Sequence, residues 1–284
     1  ENEEAGGENK RIPLLSIPRS NFFLTGLGFI GEFRDSKVLP QSGFYAKVSS
    51  EFSGLMELGN YSYLKSDLSF SLYSKVFENR VIALHLSNIM HFSLRNLEHG
   101  ELSFLPRAQR IFLSGSNKIR GFNNEVGPYS LSLGSKHREP LGGSQSLAFQ
   151  LEFRLYKLFF SMAGLTFFLD GGNTFFSNKE SQIISDYYRR ESGGSYEPKD
   201  LYIMPSFFDF FNDPLSFLAE QYYGVGVALN FALPLGVLNV SVATPISEPS
   251  KTTWKRREEN EEGEKRSNDF LDRLKVSVNI GTYF

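Results

Sequence analysis

Along most of this chain, apolar and polar residues alternate with a period of two, the spacing of a strand that is apolar on one face. The last segment is the clearest. Leu274, Val276, Val278, Ile280, Thr282 and Phe284 share one face, and Lys275, Ser277, Asn279, Gly281 and Tyr283 the other. Leu147, Phe149, Leu151, Phe153 and Leu155 alternate with Ala148, Gln150, Glu152, Arg154 and Tyr156. Next, Phe159, Ser161, Ala163, Leu165, Phe167 and Leu169 alternate with a face that ends in Asp170. Four upstream stripes repeat the pattern: Phe23 to Phe33, Phe44 to Phe52, Leu64 to Val76 and Ile82 to Phe92.

One stretch tests the alternative of a membrane-spanning helix. Gln221 to Ser247 carries no charged side chain and is long enough to cross a bilayer. Gly224, Gly226, Pro234 and Gly236 interrupt it, and Leu233-Pro234-Leu235-Gly236 has the composition of a tight turn. Tyr223, Val225, Val227, Leu229 and Phe231 share one face before that turn; Leu238, Val240, Val242, Thr244 and Ile246 share one after it. The expectation is a β-hairpin, which brings the predicted strands to nine.

Strands of a soluble sandwich are short and bury their apolar face, whereas a membrane barrel turns that face to lipid and needs about nine to eleven residues per strand. The predicted strands are long. Their connections alternate between short turns at Phe77-Asn79, Lys157-Leu158 and Leu233-Gly236 and long polar segments at 96–146, 171–221 and 247–270. The expected fold class is therefore all-β, a transmembrane antiparallel β-barrel over 21–284, with a polar, disordered segment at 1–20. Single-chain bacterial barrels have even strand numbers. An odd count predicts a further upstream strand, either an irregular one in residues 8–20 or one belonging to a larger barrel.

Composition changes this picture little. With 30 Lys+Arg against 32 Asp+Glu the net charge is −2, without the basic excess of a dedicated nucleic-acid binder. Zero cysteines exclude disulfides, thiolate-bound zinc and a thiol nucleophile. The mean hydropathy of −0.26 resembles that of a soluble protein, because polar strand faces and charged loops dilute the apolar stripes. The 28 Phe, 13 Tyr and 25 Gly fit a sheet protein with much apolar surface to place.

The candidate chemistry lies in the long loop 96–146, in Ile119-Arg120-Gly121-Phe122. Glu152 and Asp170 fall on the polar face of neighbouring predicted strands. Taken alone they are either polar lining or two carboxylates that one guanidinium can bridge, which would pin the loop inside the barrel. His85 and His91 share the polar face of one strand and are read as lining rather than metal ligands.

The Ile119–Phe122 segment resembles the (V/I)RG(F/Y) signature of the BamA/TamA outer-membrane assembly superfamily, the bacterial surface antigens. Further resemblances follow in the family's order: Phe33-Arg34-Asp35 through Gly43-Phe44, Val126-Gly127-Pro128, Leu141-Gly142-Gly143-Ser144, Phe168-Leu169-Asp170-Gly171-Gly172-Asn173, Gly224-Val225-Gly226 with Pro234-Leu235-Gly236, and the terminal strand to Phe284. Ser114 departs from the pattern, standing where a Gly is usual. The family usually has sixteen strands preceded by periplasmic POTRA domains, and this chain resembles the last nine strands.

The resemblance implies a lock in which Arg120, with Gly121 and Phe122, folds inward onto Glu152 and Asp170. It also implies that Ile280, Gly281, Tyr283 and Phe284 belong to the C-terminal signal by which barrels are recognised for insertion. The implied function is insertion or translocation of proteins at the cell outer membrane. The implied partners are outer-membrane lipid, unfolded outer-membrane protein clients, and POTRA domains or accessory lipoproteins, with no cofactor, metal or nucleic acid. Two other classes remain: the membrane anchor of a patatin-like lipase, and a passive pore. No Gly-x-Ser-x-Gly occurs, so no catalytic residue is expected here. The charged segment 247–270 reads as a solvated loop. Phe207-Phe208-Asp209-Phe210-Phe211 reads as an apolar loop segment over the barrel mouth or against lipid or a partner.

Overall fold

A computed structural model describes residues 23–54, 62–94, 109–113, 119–122, 142–157, 163–177, 180, 213–219, 221–233, 236–247 and 274–281. The segments 8–20, 207–211 and 248–270, and Tyr283 and Phe284, lie outside the described residues.

Alternation on this scale yields strands, and nine are present: β1 (Leu24–Glu32), β2 (Gly43–Ser53), β3 (Tyr63–Phe77), β4 (Arg80–Ser93), β5 (Gln145–Leu155), β6 (Ala163–Phe175), β7 (Tyr222–Leu233), β8 (Gly236–Ser247) and β9 (Lys275–Gly281). They form one antiparallel sheet in sequence order, each strand paired with the next. Among the described residues β1 and β9 are not paired with each other, so the sheet is an open wall. A short helix, α1 (Pro214–Ala219), precedes β7.

The segment weighed as a membrane helix is the β7–β8 hairpin, with Val227 opposite Val242 and Leu233 opposite Gly236. The β3–β4 turn places Asn79 at φ 60°, left-handed geometry that Asn tolerates better than most residues. β6 runs on to Phe175, into the segment read as loop from residue 171. Gly171 and Gly172, at the start of that segment, pair with Phe149 and Ala148 of β5. Gly171 faces the Phe149 ring so closely that any side chain there would collide with it. Glycine marks a close approach within this strand rather than its end.

The two faces of the sheet differ as the alternation predicts. Val48, Leu68, Phe70, Ile82, Leu86, Leu151, Phe167 and Val227 are exposed on one face. Ser71, Gln150, Glu152, Arg154, Thr166, Asp170, Asn230 and Ser241 are buried on the other. Apolar residues outside and polar residues inside is the inverse of a soluble protein and the arrangement of a barrel wall in lipid. On the outer face Phe33 stacks on Phe44 at 4.7 Å between centroids.

This assignment makes a direct prediction. Leu151 faces outward in mid-strand between Leu84 and Leu169. Leu151→Arg is expected to lower unfolding stability in lipid by about 2–4 kcal/mol, read from denaturant titration in vesicles. A shift no larger than that of a conservative Leu151→Val control would place the lipid face elsewhere.

Candidate functional site

The chain between β4 and β5 folds back onto the inner face of the sheet. Gln150 lies opposite Asp170 and Glu152 opposite Phe168 in the β5–β6 register. Glu152 and Asp170 are therefore diagonal neighbours on that face, close enough to share one ligand. Arg120 is that ligand. Its Nε donates to Asp170 Oδ2 at 2.7 Å and its Nη2 to Asp170 Oδ1 at 2.7 Å, a bidentate fork. The same Nη2 donates to Glu152 Oε1 at 2.8 Å, and the Arg120 backbone N–H to Asp170 Oδ2 at 2.9 Å.

The guanidinium carbon sits 3.5 Å from the centroid of the Phe168 ring. The aromatic face supplies a cation–π contact and excludes water from beneath the charge. Exposure is 6% for Arg120, 2% for Glu152 and 0% for Asp170. Charges this deeply buried require pairing. Arg154 completes the set: its Nε donates to Glu152 Oε2 at 2.7 Å, with the side chain 1% exposed. Two carboxylates thus meet two guanidiniums, and the cluster is neutral.

The backbone on either side explains why the loop fits. Gly121 has φ +100°, in the region that glycine enters without penalty, and lies against the backbone of Thr244 and Pro245 in β8. A Cβ on Gly224 of β7 would collide with the Arg120 carbonyl oxygen. A Cβ on Gly226 would collide with the Phe168 ring and the Val242 carbonyl oxygen. The two glycines clear a track on β7 along which the loop backbone and the Phe168 ring approach the sheet.

Apolar contacts hold the loop beside the charges. Leu113, Ile119, Ala148 and Tyr222 form a buried cluster, with Phe122 packed against it. Phe122 meets Tyr222 edge to face at 5.5 Å. Ile111 and Gly143 exchange backbone hydrogen bonds of 2.8 and 2.9 Å, closing the base of the loop. At the exit of β6, Glu180 accepts from the Ser144 and Ser177 hydroxyls, tying the start of the next connection to the end of this one.

The structure thus brings Arg120, Gly121, Phe122, Glu152 and Asp170 together. Ile280 and Gly281 lie in β9, opposite Leu238 and Val237. His85 and His91 stand on the inner face; His85 Nδ1 lies 2.8 Å from the Ser71 hydroxyl and the His91 ring 5.3 Å from that of Tyr63. Arg154, Phe168, Gly224 and Gly226 join the site beyond the residues that the sequence points to. The alternation marked Arg154, since it shares the inward face with Glu152. Phe168 carried a weaker signal, an aromatic on a face that otherwise reads as polar.

A second inward cluster forms where β1 turns into β2. Arg34 pairs with Glu32 through Nε at 2.6 Å and Nη2 at 2.7 Å, and its guanidinium carbon lies 5.0 Å from the Tyr45 ring centroid. The hydrogen bonds it donates to the Glu32 carboxylate raise the Arg34 guanidinium above its ordinary pKa, so it stays charged at every working pH.

An antiparallel wall with an apolar outer face, and a loop guanidinium clamped to carboxylates on its inner face, define an outer-membrane β-barrel protein. The Omp85 superfamily domain matches residues 17–284, and the chain belongs to that superfamily. Among solved structures it resembles BamA from Haemophilus ducreyi lacking POTRA domains 1–3, with a TM-score of 0.59 and 21% identity over 81% of this chain. It spans 40% of the length of that BamA chain. CdiB from Acinetobacter baumannii also matches, at TM-score 0.43 and 10% identity, over 81% of this chain and 31% of its own. No curated protein sequence matches.

Proposed function

We propose that this chain forms part of an outer-membrane barrel that inserts or translocates polypeptides, with Arg120 as the lock that holds the inner loop in its working position. The observation that carries this reading is the buried Arg120–Asp170–Glu152 cluster within an Omp85 superfamily domain. Such a cluster is costly to build and specific in geometry. Stability alone is served as well by apolar residues of the same volume, so its presence favours a role in setting loop position.

The chemistry required is the exchange of backbone hydrogen bonds at a strand edge, not bond cleavage. A client strand entering a bilayer must pair every backbone group as it inserts. An edge strand such as β9, with Gly281 thinning its packing, offers a template for that pairing. Ile280 and Gly281, together with Tyr283 and Phe284, form the segment by which the barrel itself is recognised for insertion. Lipid, unfolded outer-membrane protein clients, and POTRA domains or accessory lipoproteins are the partners this function requires. The barrel region of this reading is 21–284, with the polar segment 1–20 before it.

The test is reconstitution. The protein is folded into vesicles, and the appearance of protease-protected client barrel is followed after adding a urea-denatured eight-stranded barrel protein. Acceleration over protein-free vesicles, reduced by Arg120→Ala, is the expected result. Ion conductance without any acceleration would instead establish a passive pore. Neither signal, with an intact barrel, would leave a membrane anchor and overturn the proposal.

A further inference from the structure

The Glu152 carboxylate is divided between two cations. Oε1 accepts from Arg120 of the loop and Oε2 from Arg154, two residues along β5. The two arginines are held very differently. Arg120 belongs to a connection that enters the inner face from between strands. Arg154 is seated on the wall: its guanidinium carbon lies 5.3 Å from the Tyr73 ring centroid of β3, and its Nη1 donates to the Tyr156 hydroxyl at 3.5 Å.

Those anchors are themselves fixed. Tyr73 is 3% exposed and packs with Val81 and Ala83, and Tyr156 packs against the same cluster. The Tyr156 hydroxyl donates to the Pro40 carbonyl oxygen in the β1–β2 connection at 3.2 Å. In the register, Tyr73 lies opposite Ala83, and Ala83 opposite Glu152. The small side chain between them leaves room on that row for the Arg154 guanidinium. The contacts named for this seat, to Tyr73, Tyr156 and Glu152, all come from the wall and its turns.

Resting on the lock reading above, we propose that Arg154 is the resident counterion of Glu152, setting how tightly the Arg120 loop is held by sharing its second carboxylate. With the loop docked, two carboxylates face two guanidiniums. With the loop withdrawn, Glu152 keeps Arg154 and only Asp170 loses its cation. Without Arg154, Arg120 enters a site carrying two uncompensated carboxylates and no competing guanidinium, so the loop is bound more tightly and released more slowly. A residue that merely packed the wall would act in the opposite direction, since its removal would loosen the site.

The chain contains no cysteine, so one introduced thiol reports alone. Ile119 is fully buried beside Arg120, so a thiol there is expected to react when the loop lifts. Maleimide labelling of Ile119→Cys in the folded full chain therefore measures release, with heat-dependent gel mobility confirming that each variant is folded. In that background Arg120→Ala is expected to label faster, and Arg154→Met about tenfold slower than the parent. Arg154→Lys keeps the charge and is expected to stay near the parental rate. Arg154→Gln replaces Arg154→Met if the latter fails to fold. Labelling of Arg154→Met at or above the parental rate, with Arg120→Ala still fast, overturns the proposal and leaves the lock standing. An unchanged rate for Arg120→Ala overturns the lock itself.

Discussion

Replacing Arg120 with alanine is expected to lower the unfolding free energy of the barrel by about 3 kcal/mol, measured by denaturant titration in detergent micelles. The loss comes less from the missing bonds than from what is left behind. Asp170 is fully buried and receives three hydrogen bonds from Arg120, one from the backbone and two from the guanidinium. Without the guanidinium it must either draw in water or take up a proton. Glu152 fares better, because Arg154 still holds its other oxygen.

The double variant Arg120→Ala/Asp170→Asn is therefore expected to be more stable than Arg120→Ala alone, since a neutral amide replaces the stranded charge. Arg120→Lys restores one positive charge but not the planar fork that spans both carboxylates, and is expected to recover about half the loss. If Arg120→Ala left stability and client insertion at the parental level, the cluster would be an ornament of the wall and not a lock.

Much of this arrangement is legible in the sequence because a barrel wall in lipid makes one demand at every position. Each residue of Leu147–Leu155 or Leu165–Leu169 faces lipid or the interior, and the period of two reports which. That parity alone put Glu152 and Asp170 on one face of adjacent strands, before any question of what they bind. It put Arg154 there too, but the sequence does not say which of two arginines a carboxylate will hold. That choice depends on the depth of the loop, and the depth depends on long-range contacts such as Phe122 against Tyr222 and Ile111 against Gly143.

Glycine was the least legible residue. Gly171 and Gly172 carry the local signature of a loop, yet lie within β6, because their role is to admit the Phe149 ring and the β5 backbone. Gly224 and Gly226 read as interruptions of an apolar segment, whereas their spacing of two is what sets both on the inner face of β7 beneath the loop. A glycine chosen for its missing Cβ looks the same in sequence as one chosen for a turn, and only the neighbour across the sheet tells them apart.

Those two β7 glycines support a prediction of comparable size that leaves every charge in place. Gly224→Ala sets a methyl group against the Arg120 carbonyl oxygen, in space the loop backbone now occupies. The β-strand conformation itself accepts alanine, so the sheet has no reason to yield first. The loop must shift instead, and the Arg120 backbone N–H loses its place on Asp170. The expected cost is about 2–3 kcal/mol, in the range of overpacking a well-filled site. Gly226→Ala is expected to cost a similar amount by a different route, because its new methyl group meets the Val242 carbonyl oxygen of β8 and the Phe168 ring. The two separate in the Arg120→Ala background. Once the lock is gone the loop can lift away from Gly224 at little further cost, so the effect of Gly224→Ala should shrink to a few tenths of a kcal/mol. The clash at Gly226 is with the sheet and should persist almost undiminished. Additive behaviour at Gly224 would mean that the loop backbone is held over β7 by something other than Arg120, and the lock would then have to be sought in the apolar contacts around Ile119 and Phe122.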